Sequence, residues 1–210
     1  AADIKATLSG TTTSGSEDSE SQGLAANGLV ATNNVLSSSK ATITNSDISI
    51  GGDLQVDAQN NATLYADNLA TISSGGTAVG VTLAFNTIGW QSENIFAQTV
   101  DALIGSKFGT EQPAAVIANI NNSVVETGGD LLVTAAVSAQ IEAYTSNEAT
   151  SSSGGSAAAS MVLGTNMVST SVDANITGNN EVPKTITAGG ELRVTADDAP
   201  AVFSDIKVLA

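Results

Sequence analysis

The sequence predicts an all-β chain wound as a parallel β-helix, a solenoid of stacked coils. Three observations predict it. A set of three motifs recurs in the same order along the chain, apolar and polar side chains alternate with a period of two inside them, and the hydrophobic residues include few aromatics.

The recurrence comes first. Gly51-Gly52-Asp53-Leu54-Gln55-Val56-Asp57-Ala58 returns as Gly128-Gly129-Asp130-Leu131-Leu132-Val133-Thr134-Ala135 and again as Gly189-Gly190-Glu191-Leu192-Arg193-Val194-Thr195-Ala196. A second motif follows each: Ala62-Thr63-Leu64-Tyr65-Ala66, Ala139-Gln140-Ile141-Glu142-Ala143 and the weaker Ala201-Val202-Phe203, with Ala2-Asp3-Ile4-Lys5-Ala6 as an opening copy. A third comprises Val30-Ala31-Thr32-Asn33, Leu83-Ala84-Phe85-Asn86 and Leu163-Gly164-Thr165-Asn166. The chain therefore divides into units of about sixty residues, near 1–61, 62–138 and 139–210, within one segment. Two stretches exceed the unit: a polar excursion at 11–22 and a longer insertion at 89–115.

Alternation comes second. Leu54, Val56 and Ala58 share one face and Gln55 and Asp57 the other; Ala139, Ile141 and Ala143 likewise oppose Gln140 and Glu142. Period two is the signature of a strand with one buried face. The Gly pairs 51–52, 128–129 and 189–190 are expected to form corners through positive φ. Asn33, Asn86 and Asn166 are expected at corners too, bonding free amides or one another in a ladder. Ile43 to Leu64 and Ile120 to Ile141 both span 21 residues, which suggests coils of that length. About ten coils, wound right-handed with loop insertions, would make a rod about 50 Å long. A β-sandwich would explain the alternation but not three ordered motifs. Along 78–88 neither face is strongly polar, so that strand is expected to be covered on both sides.

Composition comes third. Only 3% of residues are aromatic, while hydrophobic residues make up 41%. Small and β-branched side chains suit a thin core between stacked strands. Six Lys plus Arg stand against twenty-one Asp plus Glu, a net charge of −15, which repels phosphate backbones and excludes nucleic acid as a partner. With no Cys, disulfides and thiol catalysis are excluded, and an export route that threads unfolded chain is suited. No apolar run is long enough for a membrane helix, and the chain is expected to be an internal piece of a longer protein.

Chemistry is sparse. Without His there is no His-based nucleophilic triad, and Lys5, Lys40, Lys107, Lys184, Lys207 and Arg193 are scattered. A two-carboxylate glycosidase stays open as the weakest reading. Asp53, Asp130 and Glu191 follow the corner glycines and read as solvent-facing turn residues. No cofactor is expected. Calcium has one weak candidate, the acidic loop holding Glu17, Asp18 and Glu20, which otherwise reads as solvated. Ligand contact would fall on aromatics: Trp90 with Phe96 and Phe108 in the insertion, and Tyr65 and Tyr144 at outward strand positions. The same side chains could instead pin the insertion to the rod.

The stretch from Asn122 to Ala143, which reads NSVVETGGDLLVTAAVSAQIEA, and the stretch from Gly75 to Ile88, which reads GGTAVGVTLAFNTI, resemble the repeats of large bacterial filamentous adhesins and autotransporter passengers. The resemblance covers nearly the whole chain and specifies an exported repetitive solenoid better than any ligand. It implies an extracellular or cell-surface location, a role in attachment, aggregation or biofilm formation, and no catalytic residues. The expected function is a non-catalytic structural and adhesive stalk. The alternatives are a glycan-binding module acting through 89–115 and, lower, a polysaccharide-active enzyme. Expected partners are adjacent segments of the parent chain, other copies associating end to end or laterally, and a host or matrix glycan or protein.

Overall fold

The computed structural model describes residues 2–15, 23–91, 110–152, 157–178 and 184–209. Among them the fold is all β, with five parallel sheets and no helix. The first sheet joins β1 (Ala2–Ser14), β6 (Ala62–Ser74), β13 (Gln140–Ser151) and β18 (Ala201–Leu209). The second joins β2 (Leu24–Val35), β7 (Thr77–Ile88) and β14 (Ala158–Val168), and the third joins β3 (Ser39–Thr44), β10 (Ala114–Asn121) and β15 (Thr170–Thr177). The short fourth sheet holds β4 (Asp47–Ile50), β11 (Val124–Thr127) and β16 (Ile186–Ala188); the fifth holds β5 (Leu54–Asn60), β12 (Leu131–Val137) and β17 (Leu192–Asp198). Two short strands, β8 (Trp90–Gln91) and β9 (Thr110–Glu111), form an antiparallel pair.

Every repeat visits the five sheets in the same order, and each strand lies beside its counterpart one repeat away. In the first sheet Ala2 lies opposite Ala62, Thr63 opposite Gln140 and Gln140 opposite Ala201. The chain thus returns to a sheet after 60, 77 and 61 residues. This corrects the expectation of about ten coils of 21 residues. Ile43 pairs with Ile120 in the third sheet and Leu64 with Ile141 in the first, so the 21-residue spacing separates two sheets of one circuit. The four levels of the first sheet span only about 14 Å, not 50 Å, at the usual strand spacing.

The sequence alternation decides what faces inward. Along β6 the even-numbered positions Ala62, Leu64, Ala66, Asn68, Ala70, Ile72 and Ser74 are buried. Along β12 the buried set is Leu131, Val133, Ala135 and Val137. One apolar cluster runs through all five sheets, from Leu64 and Ile88 to Ile120, Val125 and Val133. A smaller one, Ala25, Ile72, Ala78 and Ala149, closes the tip where the first and second sheets lie face to face. Asn68, Thr82 and Asn147 are buried in those same two sheets, so for its size this layer carries more polar groups than the main core.

The glycine pairs stand at bends between the fourth and fifth sheets, as expected, but not through positive φ. Among the described residues the only glycine with positive φ is Gly89. At the second and third pairs consecutive repeats approach too closely for a side chain: a Cβ on Gly128 would meet the Gly51 carbonyl, and one on Gly189 the Gly128 carbonyl, while at Gly51 and Gly52 a Cβ would meet open space. Their amides continue the stacking, with Gly129 N–H donating to Gly52 O at 3.1 Å and Gly190 N–H to Gly129 O at 2.9 Å. Left-handed backbone occurs instead at Asn45 and Asn122, with φ of 50° and 47°, a conformation Asn tolerates better than most residues.

The two expected insertions also change. Thr11 to Ser14 continue β1 and pair with Thr71 to Ser74, so the excursion does not begin at residue 11; 16–22 lie outside the described residues. Ala114 and Ala115 belong to β10, and 92–109 lie outside the described residues.

Candidate functional site

On the outward face of the first sheet the structure brings aromatic side chains from three neighbouring strands together. Tyr65 and Tyr144 lie with ring centroids 5.6 Å apart, and Tyr144 and Phe203 5.5 Å apart. The Lys5 ammonium sits 4.9 Å from the Tyr65 ring centre, within cation–π range. Strand register explains the row. Lys5 is directly opposite Tyr65, whereas Tyr144 is opposite Asp67 and Asp205, two positions along. The rings therefore meet as diagonal neighbours on one face, a distance aromatic side chains can bridge. The tilts of 43° and 49° avoid face-to-face stacking. Partial desolvation raises the Tyr144 hydroxyl pKa above its ordinary value, and Glu142, then Tyr65 and Asp205, add to the effect.

Tyr65 and Tyr144 thus come together, and the row gains Lys5 and Phe203, which the alternation alone did not single out. Trp90 is elsewhere, in the β8–β9 pair beyond the second sheet. Its carbonyl accepts from Asn34 Nδ2 at 2.8 Å, and its indole N–H is buried without a partner among the described residues. Phe96, Phe108, Glu17, Asp18 and Glu20 lie outside the described residues.

The strand at 78–88 is not sealed on both sides as expected. Its inner face is buried, while on the outer face Val79 is exposed and only Phe85 and Thr87 are buried.

The stacked polar residues form two ladders that bind repeat to repeat. Asn33 Nδ2 donates to Asn86 Oδ1, and Asn86 Nδ2 to Asn166 Oδ1, both at 2.8 Å. This ladder stands within the strands of the second sheet, not at a corner. Asp53 Oδ1 accepts from the Asp130 N–H at 2.9 Å and Asp130 Oδ1 from the Glu191 N–H at 2.8 Å. Asp53 and Asp130 are therefore inter-repeat acceptors, a role that the expectation of solvent-facing turn residues missed. A third link joins the left-handed corners, Asn122 Nδ2 donating to Asn45 Oδ1 at 2.6 Å. The sequence carried a signal for it: Asn45-Ser46 and Asn122-Ser123 have the same 77-residue separation as the first two Gly pairs.

Among the described residues the arrangement offers surfaces for contact and links between repeats. A hollow of about 270 Å³ beside Thr13, Ser14, Ser73, Ser74, Gly75 and Ser152 offers hydroxyls and backbone. Among the described residues no three His, Cys, Asp or Glu side chains gather as metal ligands, and no helix is long and apolar enough to cross a membrane. No family model, curated protein or solved structure matches the chain.

Proposed function

We propose that this chain is a right-handed β-solenoid segment serving as the stalk of a bacterial cell-surface adhesin, with no catalytic role of its own. One observation carries the reading: five different strands return, repeat after repeat, to the same five sheets in register. A parallel crossover of this kind is right-handed in nearly all proteins. Repeats that touch mainly their neighbours make a body that lengthens by simple addition and holds load through its inter-repeat ladders. The acidic surface keeps such a body soluble, and the adhesin repeats resembling this sequence supply the extracellular setting.

The test is mechanical. With the chain held by its two ends, extension is expected to release one repeat at a time, in steps of about 20–28 nm for 60–77 residues at most ~3.6 Å each. Release of the entire chain in one event, or at forces no larger than those that pull out an unfolded chain, would remove the stalk reading.

A second reading, glycan contact, is favoured by the Tyr65–Tyr144–Phe203 row more than by the insertion, because exposed aromatic faces suit sugar rings. Binding on a glycan array that is lost in Tyr144→Ala, with the circular dichroism unchanged, would move this reading ahead.

A further inference from the structure

The second sheet differs from every other large sheet in its charge. None of the residues of β2, β7 and β14 is ionisable. The other four carry charge on their strands: Lys5, Asp67 and Glu142 in the first, Lys40 and Asp173 in the third, Asp47 and Glu126 in the fourth, Asp57 and Arg193 in the fifth. Outward positions of the second sheet are mostly apolar instead, with uncharged Thr and Asn at the strand ends. Val30 pairs with Leu83 and Leu83 with Leu163, while Gly28, Val81 and Met161 line up beside them. Val30, Val79 and Met161 are exposed. Parallel sheets are ordinarily covered on both faces, and this one has an apolar outer face with open residues.

We propose that this face is a lateral docking surface for a second copy of the same chain. Charge selects the occupant. Each copy carries −15, and on the other four sheets the approach of a second copy would have to desolvate ionisable strand residues, most of them acidic. On the second sheet two copies can meet with no ionisable strand residue between them, and an isologous contact matches apolar rows to apolar rows without further complementarity. Sheet-on-sheet packing at about 10 Å would place the acidic sheets on the far sides. Area sets the strength. Three strands of about eleven residues present roughly 500 Å², below the ~800 Å² per partner typical of stable complexes. The contact is therefore weak between single segments. Salt strengthens it, because screening relieves the repulsion between the two acidic bodies. The inference does not depend on the stalk reading: extension under force measures cohesion within one chain, and docking is read between chains.

Sedimentation equilibrium tests it. The expected result is reversible dimerisation that grows with concentration and with salt. In the double variant Val30→Lys and Met161→Lys the apparent dissociation constant is expected to rise about tenfold or more, because each ammonium would have to be desolvated. Leu192→Lys, at the exposed edge of the fifth sheet, is expected to leave dimerisation unchanged. Since the chain has no Cys, single-thiol variants give a second readout. A short bis-maleimide is expected to link Val81→Cys into dimers but not Thr134→Cys on the outer face of the fifth sheet. The proposal fails if the chain stays monomeric at high concentration and high salt. It fails equally if Leu192→Lys, and not the double variant, abolishes association, which would mean end-to-end stacking, or if Thr134→Cys links as readily as Val81→Cys.

Discussion

Inner and outermost copies of the same motifs lie in the same register and are buried very differently. Leu131 lies beside Leu192, and Ile141 beside Val202. Leu131 is 0% exposed and Leu192 53%; Ile141 is 1% exposed and Val202 51%. Side-chain chemistry is nearly constant across each pair, so it cannot be the cause. β12 has β5 on one side and β17 on the other, and β13 lies between β6 and β18. In the last repeat β17 and β18 are sheet edges. At this end of the stack an inward-pointing residue loses its burial because no strand lies beyond it, whereas at the opposite edge Val56 and Ala58 of β5 stay buried. That makes cohesion a property of neighbouring repeats rather than of any one of them.

The comparison is sharpest by truncation. Leu131→Ala is expected to cost about 2–5 kcal/mol, the range for removing a buried leucine. Leu192→Ala is expected to cost less than about 1 kcal/mol, since half of that side chain already meets water. Denaturant unfolding of the two variants measures the difference. Equal costs would mean that the last repeat is covered in solution, and the edge would then be a second interface. A smaller effect probes the corners. Gly128→Ala forces a methyl against the Gly51 carbonyl, whereas the matching Gly51→Ala points into open space. The first is expected to destabilise by about 1–3 kcal/mol, the usual cost of overpacking, and the second by no more than about 0.5 kcal/mol. If both were costly, backbone conformation would be the reason for the glycines after all.

Much of this was legible in the sequence, because alternation and repetition are local signals. The matched triplets Leu54–Leu131–Leu192 and Asn33–Asn86–Asn166 are the residues that stand beside one another in the sheets. The circuit length was not legible from spacing alone. A 21-residue interval between inward residues recurs whether those residues belong to successive coils or to two sheets of one circuit, and only the pairing of Ile43 with Ile120 separates the cases. The glycine corners misled for a related reason. A paired Gly signals either positive φ or close approach, and the neighbour that forbids a Cβ is 77 residues away. At the candidate site, Tyr65 and Tyr144 were recognisable as outward aromatics. Phe203 was harder to see, because the last copy of its motif is degenerate and its ring contributes only through contact with Tyr144.

The aromatic row gives the mildest test of the same contrast. Tyr144 lies on an inner strand of the first sheet and has a ring on either side, Tyr65 and Phe203. Its hydroxyl is held above the ordinary 10.0 by desolvation first and by Glu142 second. A phenol whose folded pKa is raised keeps its proton after the unfolded chain has lost its own. Its contribution to stability is therefore intact below about pH 10 and declines as pH rises from there through the folded value. In a chain with only two tyrosines, the phenolate absorbance of Tyr65→Phe reports Tyr144 alone. Glu142→Gln in that background is expected to move the midpoint down without restoring it to 10.0, since desolvation remains the larger cause. Phe203→Ala is expected to lower it as well, by letting water reach the ring from the side of the last repeat. If Glu142→Gln moved it and Phe203→Ala did not, the last strand would not be sheltering its neighbour at this face, and the contrast between inner and outermost copies would hold only for the core.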